Sequence, residues 1–321
     1  MDGAASAWLA LVGAVILLLV LDLRVMRGRG GVMSPGFAAR ASVFWVAIAG
    51  AFGAILLASG DTEAAGAYFA GYLVEKSLSL DNVFVFLLLL GAFEIADHHR
   101  HRLLTYGIVG ALILRAVFIV AGAAALEAFG WLNFVFAALL LWTGWRLWRH
   151  RFDHDGEARL IARIRHRLPI APGDPAEHGE RLSVRVAGGR RMLTAAGAAL
   201  VGLIVVDVIF AIDSVPAILA ITSDPYIVFA ANAFALLGLR PLFFLVADLV
   251  ERLHYLKAAL ALLLAFIGAK MIAAQFVGKI GPELTLPAIA AILGWGVIAS
   301  RIRDRRLRRA AERPRLAAET P

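Results

Sequence analysis

A chain of 321 residues of which 61% are hydrophobic, with a mean hydropathy of +0.79, is too apolar for a soluble domain, where about 45–50% is usual. Its net charge of +8 would suit nucleic acid, but the basic residues gather between apolar runs, which is how membrane topology is encoded. Cysteine is absent, which excludes disulfides and thiolate metal sites.

Recurrent apolar runs of about 20 residues, each enough to cross a hydrocarbon core about 30 Å thick, predict an all-α, polytopic membrane protein with nine transmembrane helices. The first is expected at 5–23. No positive stretch precedes it and arginines follow, the pattern of an anchor with its N-terminus outside rather than of a cleaved signal. The others are expected at 42–59, 67–90, 104–126, 131–148, 199–221, 226–248, 256–275 and 284–300. Connections rich in arginine, such as Arg24, Arg27, Arg29 and Arg40, alternate with connections that lack it, such as that of Asp61 and Glu63. Arg252 and Lys257 mark the seventh connection, Lys279 alone the eighth, and the tail RIRDRRLRRAAERPR is strongly basic. The positive-inside rule then places the C-terminus in the cytoplasm.

The chain divides into two N-terminal helices (1–66), a three-helix unit (67–148), a basic segment (149–198), a second three-helix unit (199–275) and a last helix with its tail (276–321). In the basic segment Leu160, Ile161, Ile164 and Leu168 predict a short amphipathic helix, ended near Pro169 and an APGDP turn. SVRVAGGRR predicts a hairpin turning at Gly188-Gly189. The tail suits anionic lipid headgroups better than nucleic acid. Oligomeric state leaves no trace in the sequence.

Two stretches stand out. EKSLSLDNV (75–83) and DVIFAIDSV (207–215) share an acid, five residues, an aspartate, then Asn or Ser and Val. LILRAVF (112–118) matches LGLRPLF (237–243), and WLNFVFAALLLWTGWRL (131–147) matches YLKAALALLLAFIGAKM (255–271), aligning Gly144 with Gly268. Spans 3–5 therefore resemble spans 6–8, and the predicted topology inverts one against the other. Inverted repeats are typical of secondary transporters, whose sites lie near the bilayer midplane.

Each mid-span acid costs about 2.5–3.5 kcal/mol on insertion scales, so Glu75, Asp81, Asp207 and Asp213 are candidate functional groups. Along the membrane they form a ladder, with Asp81 and Asp213 central. Six residues on an unbroken helix turn about 600°, leaving the acids of each pair about 120° apart. Either local unwinding, helped by Pro216 and by Ser77, Ser79, Asn82 and Ser214, or pairing across helices would bring them together. Cross-helix pairing of Asp81 with Asp213, assisted by unwinding, is the expected arrangement. Arg115, Arg240 and Lys76 offer a structural alternative, in which the acids are simply neutralised as buried pairs.

The eight histidines lie in connections or at span ends, so the core offers oxygen donors only. Such donors suit hard cations, Mn²⁺, Mg²⁺ or Ca²⁺, over Zn²⁺ or Cu⁺. Asn232 is a further candidate donor. No P-loop or nucleophile–base set appears, so no enzyme and no resident cofactor is expected.

EKSLSLDNVFVF, DVIFAIDSVPAI, NAFALLGLRPLFFL and YLKAALALLLAFIGAK resemble the signature stretches of the TerC/Alx family of integral membrane proteins, a likeness that runs from Ala41 to Ser300. The resemblance implies a multi-pass inner-membrane protein of metal homeostasis, with manganese export the leading role; members are also known as tellurium-resistance proteins. It maps the family's acidic positions onto Glu75, Asp81, Asp207 and Asp213. The expected activity is Mn²⁺ export by alternating access, with protons as a candidate counter-ion. The alternatives are a non-transporting component of a tellurium-resistance or envelope-stress complex, and an amino-acid or oxyanion exporter, the oxyanion calling for Arg115 and Arg240.

Overall fold

The computed structural model describes residues 2–27, 34–151, 155–172, 181–186, 189–249, 254–278 and 280–318. Arg29, Gly188, Arg252, Lys279 and the Gly-Asp-Pro of the APGDP turn lie outside them. Five helices come first: α1 (Asp2–Arg27), α2 (Pro35–Ala58), α3 (Thr62–Ala92), α4 (Asp97–Ala128) and α5 (Leu132–Arg149). A connecting segment holds α6 (Asp155–Arg167), β1 (Ser183–Arg185) and β2 (Arg191–Leu193). Then follow α7 (Ala195–Leu219), α8 (Pro225–Leu237), α9 (Leu239–Leu249), α10 (Leu256–Val277) and α11 (Pro282–Ala318). Helix starts are fixed locally by side-chain caps: Asp61 accepts from the N–H of Ala64 at 2.8 Å, Thr194 from Gly197 at 3.0 Å, and Asp224 from Tyr226 at 2.8 Å.

Six helices, α1, α2, α4, α7, α10 and α11, are long and apolar enough to cross a membrane, and α8 with α9 forms a seventh, bent candidate. The other two expected spans do form helices but carry more charge. Glu75, Lys76 and Asp81 sit in the middle of α3, and Arg146 and Arg149 in the last turn of α5. Half of α3 is buried inside the protein, from Ala65 to Leu90, so its polar groups meet protein rather than lipid. The span expected at 226–248 is broken at Gly238, where α8 and α9 meet at a 41° bend. Pro241 is the reason: it has no N–H for the carbonyl of Leu237, four residues earlier.

Around this core the outer helices turn Leu9, Ile16, Leu17, Val43, Ile55, Ile113, Val117 and Ile298 outward, as lipid contact requires. At the end of α5, Arg149 lies 4.9 Å from the ring of Trp145 and Arg151 4.5 Å from that of Trp148. Both tryptophans are exposed, the arrangement of an interfacial belt.

Two antiparallel pairings organise the interior. In α3 and α7, Gly71 faces Ile218 and Gly202 faces Leu89. That register sets Glu75 level with Val215 and Asp207 level with Val83, with Asp81 and Asp213 between them. In α5 and α10, a Cβ on Gly144 would lie 2.9 Å from the carbonyl oxygen of Ala261, and one on Gly268 would lie 3.0 Å from that of Ala137. Gly144 also approaches Leu264 and Gly268 approaches Leu140, so the two contacts are reciprocal.

The connecting segment folds back onto this bundle. Ile161 of α6 is buried in a cluster with Leu89, Leu90, Leu103 and Leu104, the amphipathic face expected there. The hairpin forms with Val184 opposite Met192, and Gly189 takes the positive φ its turn needs.

Replacing Gly144 with leucine is expected to lower the melting temperature of the purified protein, by an overpacking cost of about 1–3 kcal/mol. Gly13→Ala, where a Cβ would meet nothing within 4 Å, is expected to leave it unchanged. Equal melting curves for all three proteins would contradict the close α5–α10 contact.

Candidate functional site

The acid-x5-acid spacing acts here on continuous helices. α3 runs unbroken through Glu75 and Asp81, and α7 through Asp207 and Asp213. The expected local unwinding is absent from both. Pro216 lies inside α7 near its C-terminal end and has no N–H for the carbonyl of Ile212, yet the helix runs on to Leu219. In α3 the serines serve their own helix: Ser77 donates to the carbonyl of Leu73 at 2.6 Å, and Ser79 to Oε1 of Glu75 at 3.4 Å. The turn of about 120° between the acids of each pair therefore persists, and the four carboxylates divide between two faces rather than forming one cradle. Among the described residues no three His, Asp or Glu side chains are placed to hold one metal ion.

The first face is closed. Arg115 of α4, 1% exposed, pairs with Glu75 and also reaches Oδ1 of Asp207 at 3.3 Å. The same Nη1 donates to Oδ1 of Asn232 in α8 at 2.9 Å, and Asn232 donates on to the carbonyl of Val228 at 3.2 Å. Glu75, Asp207 and Asn232 are all buried. One guanidinium thus binds polar groups from three other helices. Its fork geometry suits this, because it offers five donors in one plane. Even so, Oε2 of Glu75, Oδ2 of Asp207 and Nε of Arg115 are buried without hydrogen-bond partners among the described residues. The structural alternative, buried pairing, therefore describes two of the four acids.

The second face is open. Asp81 and Asp213 line one cavity of about 580 Å³, together with Asn82, Ser214 and Thr143. Thr143 of α5 donates to Oδ1 of Asp213 at 2.9 Å. Oγ of Ser214 is buried and lacks a hydrogen-bond partner among the described residues. Asp81 and Asp213 thus line the same cavity. Toward α6 the lining turns basic, with Arg146, His150, Arg159 and Arg163. Lys257, at the same rim, is held by Glu157 at 2.6 Å.

The two other cations of the buried-pairing alternative hydrogen-bond to other groups. Lys76 donates to the carbonyl of Ala235 at 3.2 Å. Arg240 pairs with Asp22 of α1 and donates to Thr105 at 2.9 Å. Asp22 escaped the sequence reading, although a lone carboxylate near the end of the first apolar run was its signal. Thr143 and Glu157 escaped it too, and Lys257 entered it only as a marker of topology. Thr143 looks like any helix residue, and the Glu157–Lys257 pair joins residues 100 apart in the chain.

Apolar spanning helices around a charged interior define a multi-pass α-helical membrane protein. The model of the integral membrane protein TerC family matches residues 60–308, and the chain belongs to that family. It is 40% identical over 305 residues to an uncharacterized membrane protein of Myxococcus xanthus, covering 94% of each chain. It is 39% identical over 289 residues to a Salmonella typhi protein named "Putative membrane-bound redox modulator Alx", covering 85% of this chain and 87% of that one. The protein of the same name from Escherichia coli K12 is 37% identical over 289 residues, covering 85% and 88%. No solved structure matches.

Arg115→Met leaves Glu75 and Asp207 buried without their counter-charge, a loss of about 3–5 kcal/mol. Little folded protein is expected from this variant in a detergent size-exclusion profile, and Arg115→Met with Glu75→Gln is expected to recover part of it. A single variant as stable as the wild type would show that the guanidinium does not carry this junction.

Proposed function

We propose that the protein carries a hard divalent cation across the membrane, with Mn²⁺ export as its activity and Asp81 and Asp213 as the carboxylates that bind the ion. The observation that carries this reading is the shared cavity, whose inner wall gathers two carboxylates, an amide and two hydroxyls from α3, α5 and α7. Ser214 lines the same cavity, its hydroxyl buried and lacking a hydrogen-bond partner among the described residues. Small hard ions keep several waters and need few protein ligands, and a cavity of about 580 Å³ has room for those waters. Ca²⁺ or Mg²⁺ would use the same oxygens, whereas softer ions are disfavoured. Glu75 and Asp207 serve this reading as scaffold, held by Arg115.

Transport requires access from both sides in turn. Nine crossings follow if α1 to α5, α7, the α8–α9 pair, α10 and α11 each cross the inner membrane once, with the N-terminus outside and the C-terminus cytoplasmic. The antiparallel register of α3 with α7 and the reciprocal Gly144 and Gly268 contacts support spans 3–5 and 6–8 as inverted repeats. The basic tail then meets anionic headgroups, and protons are the candidate counter-ion. An oxyanion substrate is less well supported, because Arg115 and Arg240 each already hold carboxylates. Thiol redox chemistry has no residue to use in a chain without cysteine.

Purified protein in liposomes is expected to move Mn²⁺ down its gradient. Asp81→Asn and Asp213→Asn should each reduce flux to the level of empty liposomes, and Thr143→Val should weaken it. Wild-type flux by Asp81→Asn would refute the assignment. Absence of flux by the wild type would favour the non-transporting component of a resistance or stress complex.

A further inference from the structure

The last four carbonyls of a helix lack intrahelical donors, and that end carries the equivalent of about half a negative charge. In a continuous span the next turn supplies the donors. At the end of α8 that continuation is interrupted: Pro241 has no N–H for the carbonyl of Leu237, and the chain bends by 41°. The end is also well inside the protein: Ala233, Ala235, Leu236 and Leu237 are all buried. Water is therefore not the natural partner of these oxygens.

Lys76 of α3 fills the gap. Its Nζ donates to the carbonyl of Ala235 at 3.2 Å. A Cβ on Gly238 would lie 2.8 Å from that Nζ and 3.0 Å from Cβ of Trp45, so the missing side chain at position 238 creates the space the ammonium occupies. The neighbouring Glu75 is held by Arg115. Buried carbonyls at the C-terminal end of an interrupted helix are the kind of ligand that holds a monovalent ion in membrane carriers.

We propose that the α8–α9 break is a monovalent-cation site whose permanent occupant is the tethered ammonium of Lys76. The chain thereby supplies covalently the charge that other proteins take from a dissolved alkali ion, and this position needs none from solution. The inference does not depend on the assignment of Asp81 and Asp213 to a divalent metal.

The test is the melting temperature of the purified full-length protein in NaCl, KCl or choline chloride at equal ionic strength. The wild type is expected to melt alike in all three, since its site is filled. Lys76→Ala opens a vacancy. Its melting temperature is expected to fall in choline, whose cation is too large to enter. In NaCl or KCl it is expected to rise again with the logarithm of salt concentration. Lys76→Met, which fills the space without charge, is expected to stay low in every salt. Lys76→Ala melting like the wild type in choline, or equally low in all three salts, would overturn the proposal. If Lys76→Ala gives no folded protein when purified in choline chloride, purification in NaCl or KCl should recover it; failure to recover in either alkali salt also overturns the proposal. Mn²⁺ flux is read separately, so its absence would leave these outcomes interpretable.

Discussion

Arg115 lies at the meeting point of α3, α4, α7 and α8, and its guanidinium holds Glu75, Asp207 and Asn232 at once. Removing charges from water is costly, and a buried pair repays the cost only when geometry and further hydrogen bonds are good. Here the cost buys specificity of assembly more than stability. Leu- and Ala-rich helices slide and rotate against each other with little penalty, whereas a buried guanidinium shared by three partners accepts one register. That group ties α8 to α3 and α7.

With Glu75 and Asp207 committed to the closed face, the six-residue spacing directs Asp81 and Asp213 elsewhere. A helix cannot point residues six apart in one direction without breaking, and neither α3 nor α7 breaks. The same sequence pattern thus yields a buried ionic junction on one side and a cavity wall on the other. The irregular backbone that membrane carriers often place beside their substrate is instead found in the neighbouring helix, at the end of α8, where a lysine tends it.

Much of this was legible in the residues. Apolar runs gave most helices, and the paired motifs picked out the four acids and Arg115. Helical geometry also warned that the acids of each pair diverge, yet unwinding was expected to help gather them. What settled the matter lies between distant segments: Arg115 comes 40 residues after Glu75, and Thr143 comes 70 before Asp213. Hydropathy could not show that Gly238 and Pro241 divide one apolar run, since both halves of it stay apolar. Nor could it show that Arg240, matched in sequence to Arg115, would turn to Asp22 in a peripheral helix.

The glycine-to-backbone contact between α5 and α10 has a mechanical consequence. Two helices in such close contact cannot slip by fractions of a turn without colliding, so any movement of one would carry the other as a single lever. That lever bears Thr143 at the inner wall of the cavity and Lys257 at its rim. A tilt that draws Thr143 away from Asp213 would also load the Lys257–Glu157 tie to α6. Release at the wall and unfastening at the rim would then belong to one stroke.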